Sequence, residues 1–281
     1  MITITMISTL LSSFILSTAL LSPGASSRVF SGQSFTSMYY DCCKPACAWP
    51  TYGSFVSGLK TCDANDQPIL DDTAGGYCGG GPASSCINQT PWAVNDSFSF
   101  GYASIFIRGA DSTEWCCSCY ELEFLDSEIK GKKMIVQGIN VNFNEDQINW
   151  FSLAVPGQAD WQSQCQRRFG GTFGEFFGKN ATGFTNLTQC DTIPEELQAA
   201  CRWRYTWYQD VKGPNATFKR VECPAEIVQV SGCLRTDDKT FNSSSSSAIP
   251  AVSILSPTSP FATIIAVAAV LLGFPHLLDL F

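Results

Sequence analysis

One carboxylate stands in unusual company. Asp41 lies between Tyr39-Tyr40 and the doublet Cys42-Cys43, and Lys44, Pro45, Cys47 and Trp49 follow closely. A carboxylate beside aromatic rings such as Tyr39 can take or give a proton at a neutral polar substrate, and Trp49 offers a flat face for ring stacking against a sugar. For any single tryptophan the competing role is core packing, and for any single aspartate it is capping a turn. The only histidine, His276, sits in the C-terminal apolar segment. Ser-His-Asp and Cys-His catalysis and histidine-ligated metals are therefore excluded for the body of the chain, and carboxylates are the main acid-base groups left. There is no Gly-x-x-x-x-Gly-Lys-Ser/Thr phosphate loop, and Gly79-Gly80-Gly81-Pro82 reads as a turn. No cofactor and no metal are expected.

Fourteen cysteines all fall between Cys42 and Cys233. An even count in a chain with a secretory start reads as a disulfide framework, and spacing alone leaves the connectivity open. Cysteines committed to disulfides are not thiolates, so the run Cys116 to Cys119 is a poor zinc site. With 17 basic and 25 acidic residues, the formal charge of −8 argues against nucleic acid as a partner. A neutral polysaccharide, recognised through ring faces and hydroxyls, remains acceptable.

The elements that must position these residues are mostly strands. Residues 97–107, 134–139, 203–208 (WRYTWY), 218–222 and 227–230 are β-branched or aromatic runs of strand length. Pro194 to Cys201 reads as a helix, with proline and two acids in its first turn. From pattern alone the chain is β-rich and disulfide-braced, with no internal repeat.

The ends differ in kind. Residues 1–27 read as a signal peptide: an apolar run at 10–21 precedes Gly24-Ala25-Ser26-Ser27, although no basic residue comes before it. Residues 243–260 form a Ser- and Pro-rich spacer, and 261–281 a hydrophobic tail. That order resembles a signal for glycosylphosphatidylinositol attachment at a small residue between Asn242 and Ser247. A transmembrane helix is the competitor, but Pro275, His276 and Asp279 interrupt the tail. Six Asn-x-Ser/Thr sites, at Asn88, Asn95, Asn180, Asn186, Asn215 and Asn242, suit an extracellular surface. The expectation is a secreted protein, tethered to the membrane by lipid and monomeric.

The motif at Tyr39 to Pro50, together with residues 89–96, 115–122, 131–134, 223–226 and 232–233, resembles family 45 of the glycoside hydrolases, small inverting endoglucanases acting on β-1,4-glucan. The resemblance implies a six-stranded double-psi β-barrel with long disulfide-braced loops and short helices over a catalytic domain at 28–242. It implies Asp41 as the general base, with Tyr39 lining the cleft. It also implies seven bridges: Cys42–Cys165, Cys43–Cys78, Cys47–Cys116, Cys62–Cys86, Cys117–Cys233, Cys119–Cys223 and Cys190–Cys201. Where the family carries its acid, in an Asn-His-Phe-Asp-Leu segment, this chain reads Asn149-Trp150-Phe151-Ser152-Leu153. Serine is too weak an acid for that role. Glu145 and Asp146, in the adjacent loop, are the candidate substitutes, with a solvated turn as their alternative role. Met38 replaces the arginine usual beside Tyr39. The functional expectation is an endoglucanase, with a non-hydrolytic, expansin-like wall-loosening protein as the alternative.

Overall fold

The computed structural model describes residues 30–143, 147–158, 164–169 and 183–238. The signal segment, Glu145, Asp146, Asn180, and the spacer and tail beyond Asp238 lie outside the described residues. Among those described, no helix is long and apolar enough to cross a membrane.

Among the described residues eleven strands follow in order: β1 Ser31–Tyr39, β2 Phe55–Ser57, β3 Thr61–Cys62, β4 Pro68–Ile69, β5 Trp92–Asn95, β6 Phe98–Phe106, β7 Cys119–Phe124, β8 Lys133–Val141, β9 Trp150–Ala154, β10 Asn215–Val221 and β11 Leu234–Arg235. The main sheet runs β5-β6-β8-β7-β10-β1-β9, and β9 also pairs with β6. That last pairing closes six strands into a barrel with β5 outside, as expected of the double-psi class. Two of its contacts are parallel, β1 with β9 and β6 with β8.

Alternation along each strand sorts side chains to the two faces. Phe151 and Leu153 on β9, Ile105 on β6, Tyr120 and Leu122 on β7, and Met134 and Val136 on β8 are wholly buried inside. Tyr120, Phe151 and Phe218 meet there edge to face or tilted, with centroids 5.2 to 6.1 Å apart. A smaller core joins Tyr40, Cys42, Cys165, Phe184, Cys190, Ile193, Leu197 and Cys201 under the loops.

All seven disulfides form with the expected pairing, and no cysteine is free. Among the described residues the α-helices are α1 Ser112–Trp115, α2 Gln164–Phe169, α3 Glu195–Thr206 and α4 Ala225–Ser231.

Two expected strands are helical instead. Residues 203–206 are the last turn of α3, which begins after Pro194 and simply continues. Its aromatics are spaced for one helical face: Trp203 and Trp207 stack at 5.3 Å, and their indole N–H groups bond Ser99 Oγ and the Asn95 carbonyl of the barrel. Residues 227–230 lie within α4, which starts behind Pro224 and stops at Gly232, where φ is +71°. A left-handed glycine ends the helix and satisfies its last carbonyls, which overrides the β-branched preference of Ile227, Val228 and Val230.

Candidate active site

β1 delivers Tyr39 as its final residue, so Tyr40 and Asp41 leave the barrel together. Tyr40 turns into the smaller core, and Asp41 stays half-buried between two clamps, Cys42–Cys165 and Cys43–Cys78. Its Oδ1 accepts from the Cys43 N–H at 2.9 Å, and its carbonyl accepts from Ser85 Oγ at 3.3 Å. The first bond is the local turn bond open to any aspartate, and here it fixes the carboxylate's direction. Burial, then the Asp41 charge, push the Tyr39 phenol well above its usual range, while contact with the Asn140 side chain works the other way. Tyr39 is thus a neutral hydroxyl beside the carboxylate.

Trp49 follows a single 3-10 turn, Ala46–Ala48. Lys44 Nζ sits 3.5 Å from the centroid of its ring and donates to the carbonyls of Asp72 and Ala74 at 2.6 and 2.9 Å. The cation backs the ring and ties it to the 72–74 loop. Trp49 also lines a pocket of about 360 Å³ with Pro50, Phe55, Val56 and Asp72.

Ser152 lies on β9, its hydroxyl on the face opposite buried Phe151 and Leu153. It accepts from Ser37 Oγ at 2.8 Å, and Ser37 in turn accepts from the Trp150 indole N–H at 2.7 Å. Strand register extends this contact into a row: Ser37 pairs with Ser152, Ser152 with Ser104, and Ser104 with Asn140. Asn140 joins the row because β8 slips register opposite Ala103 and Ser104. Gly138, just before the slip, has no room for a side chain, since a Cβ there would stand 2.7 Å from the Trp115 carbonyl. Asn140 Oδ1 then accepts from Ala46 N–H at 3.0 Å, linking the row to the Asp41–Trp49 loop.

The structure therefore brings Tyr39, Asp41, Trp49 and the Ser152 position around one face and its flanking loop. Met38 instead packs on the barrel core, with Gln158 Nε2 3.8 Å from its sulfur. Ser37, Ser104, Asn140 and Trp150 carried no sequence signal, since small polar residues in a strand are ordinary and only register aligns them. The one metal-like group among the described residues, Cys62, Asp66 and Cys86, is no ligand set because its sulfurs are bonded to each other. Its carboxylate pairs with buried Arg168 at 3.0 Å.

The model for glycosyl hydrolase family 45 matches residues 31–234. This chain belongs to that family. A putative endoglucanase type K from Fusarium oxysporum is 39% identical over 213 residues, 75% of this chain and 56% of that protein. The chain thus spans little more than half of that relative. An endoglucanase from Cryptopygus antarcticus is 33% identical over 207 residues, 73% of this chain and 91% of that protein. The crystal structure of the cellulase from that springtail superposes with a TM-score of 0.69, covering 74% of this chain and 99% of the other. The family 45 domain therefore coincides with the barrel and its braced loops.

Proposed function

We propose that this chain is an endo-β-1,4-glucanase that works with inversion, Asp41 being the general base and Trp49 a sugar-stacking wall. The observation that carries the reading is the placement of Asp41: a carboxylate aimed by its own turn, locked by adjacent disulfides, and held beside a neutral phenol at the end of a barrel strand. Such a group can take a proton from water on one side of a glycosidic bond. The leaving oxygen on the other side then needs a proton from a group roughly 6.5–9.5 Å away. Ser152 occupies the family's acid position and cannot supply it, so turnover is slow or uses Glu145 or Asp146 instead.

The reading is tested by reducing-end release from a soluble β-1,4-glucan. Ser152→Asp should raise the rate by an order of magnitude or more, within the roughly 10²–10⁴-fold range of general acids, if no other acid acts. If Glu145 or Asp146 supplies the proton, Glu145→Gln or Asp146→Asn should abolish activity instead. Wild type and Ser152→Asp both inert, with glucan binding intact, would leave the non-hydrolytic alternative. Proton NMR of the first product should show the α-anomer, and a β-anomer would refute inversion.

The site of action is proposed to be the outer cell surface. Disulfide bracing supports an oxidising compartment. Release by a phosphatidylinositol-specific phospholipase tests the lipid anchor, and a C-terminal peptide reaching Phe281 in the surface protein would refute it.

A further inference from the structure

We propose that the row Asn140–Ser104–Ser152–Ser37 is the hydrogen-bonding floor of the cleft, and that Ser152 is a directed donor to a sugar oxygen. The proposal rests on the glucan reading above and adds residues and a polarity to it. The four side chains come from four neighbouring strands, β8, β6, β9 and β1, and their Cα atoms are partners in the sheet. Alternation sets them opposite the barrel core: Ile105 beside Ser104, and Phe151 and Leu153 beside Ser152, are wholly buried.

An indole N–H can only donate, so Ser37 Oγ accepts from Trp150, and the Ser37 hydroxyl donates to Ser152 Oγ. Ser152 Oγ therefore accepts, and its own proton has no acceptor among the described residues. The Ser104 hydroxyl likewise makes no hydrogen bond among the described residues. Both serines are recessed, at 7% and 5% exposure, yet the unbonded Ser104 oxygen is not sealed from solvent. Recessed polar atoms are normally satisfied by protein, water or a bound molecule. A chain in which each hydroxyl polarises the next makes the last one a better donor.

The row is uncharged, and it is tied to the Asp41 loop through Asn140. That suits a neutral polymer whose hydroxyl and ether oxygens recur along its length. Ser152 serves here as a holding group and supplies no proton to the leaving oxygen. Trp150 is a positioning residue that fixes the chain's direction.

The test uses Asp41→Asn protein, so that the ligand is not consumed, and cellopentaose titrated by calorimetry. Adding Ser104→Ala or Ser152→Ala should weaken binding roughly tenfold each, the size of one directed hydrogen bond. Trp150→Phe should weaken it several-fold, and Trp150→His, which restores an N–H donor, should recover most of the loss. Should an alanine variant fail to fold, Ser152→Cys or Ser104→Cys keeps the volume, weakens the donor and reads the same loss. Alanine variants that melt normally and bind as tightly as their parent would overturn the row while leaving the glucanase reading intact. A parent that binds no cellopentaose would overturn both.

Discussion

Two of the bridges span almost the same stretch of sequence, 123 residues for Cys42–Cys165 and 116 for Cys117–Cys233, yet their removal should cost different amounts. What a bridge constrains in the unfolded chain is the loop that remains when the other six are intact. For Cys117–Cys233 the neighbouring Cys119–Cys223 offers a short circuit: three residues to Cys119, across, and eleven more to Cys233, about 14 in all. For Cys42–Cys165 the shortest circuit crosses Cys47–Cys116, six residues on one side and fifty on the other, about 56 in all. Loop-closure entropy then gives about 3 kcal/mol for the first and about 4 kcal/mol for the second. The nested pair should also be non-additive. Once Cys117–Cys233 is gone, the circuit closed by Cys119–Cys223 grows to about 59 residues, so removing both should cost about 1 kcal/mol more than the sum of the singles. Paired Cys→Ala variants unfolded in guanidinium at equilibrium measure all of this. An additive double variant, or a Cys42–Cys165 variant more stable than the Cys117–Cys233 variant, would refute the reasoning.

Two further perturbations probe the site's support and the pH response. Lys44→Met removes the cation over Trp49 and both bonds to the 72–74 carbonyls, so stability should fall by about 2 kcal/mol or more, and acrylamide should quench tryptophan fluorescence more strongly. An unchanged urea midpoint would show that the lysine is dispensable. Burial raises the Asp238 carboxyl, although the Cys223 N–H and Arg220 oppose it. A raised folded value means stability is fully present below the ordinary carboxylate range and is lost as pH rises through the folded value. Asp238→Asn should therefore raise the melting temperature at pH 7 and lose that advantage near pH 3, and the opposite trend would contradict the burial argument.

How far the sequence disclosed this arrangement depends on which physical signal each part carries. Strands β6, β8 and β10 were legible because each holds a run of aromatic or β-branched residues of strand length, at 97–107, 134–139 and 218–222. The cysteines were legible through their ordered match to a family, and Asp41 through its dense local motif. Residues 203–208 and 227–230 were misread because aromatic and β-branched content dominates a short window. The deciding features, a helix already running from Pro194 and a left-handed Gly232, lie outside those windows. The row from Asn140 to Ser37 was invisible, since it exists only when two parallel pairs, one antiparallel pair and a register slip opposite Ala103 and Ser104 line up four strands.

The central claim, that a turn-fixed Asp41 activates water for glycoside hydrolysis, is tested most directly by one comparison. The initial rate of reducing-end release from a soluble β-1,4-glucan should be measured for wild type and Asp41→Asn at equal protein concentration, with circular dichroism confirming that both are folded. The account predicts a measurable wild-type rate and none above background for the variant, because asparagine keeps the bond from Cys43 N–H but cannot take a proton. An Asp41→Asn protein as fast as wild type would contradict it.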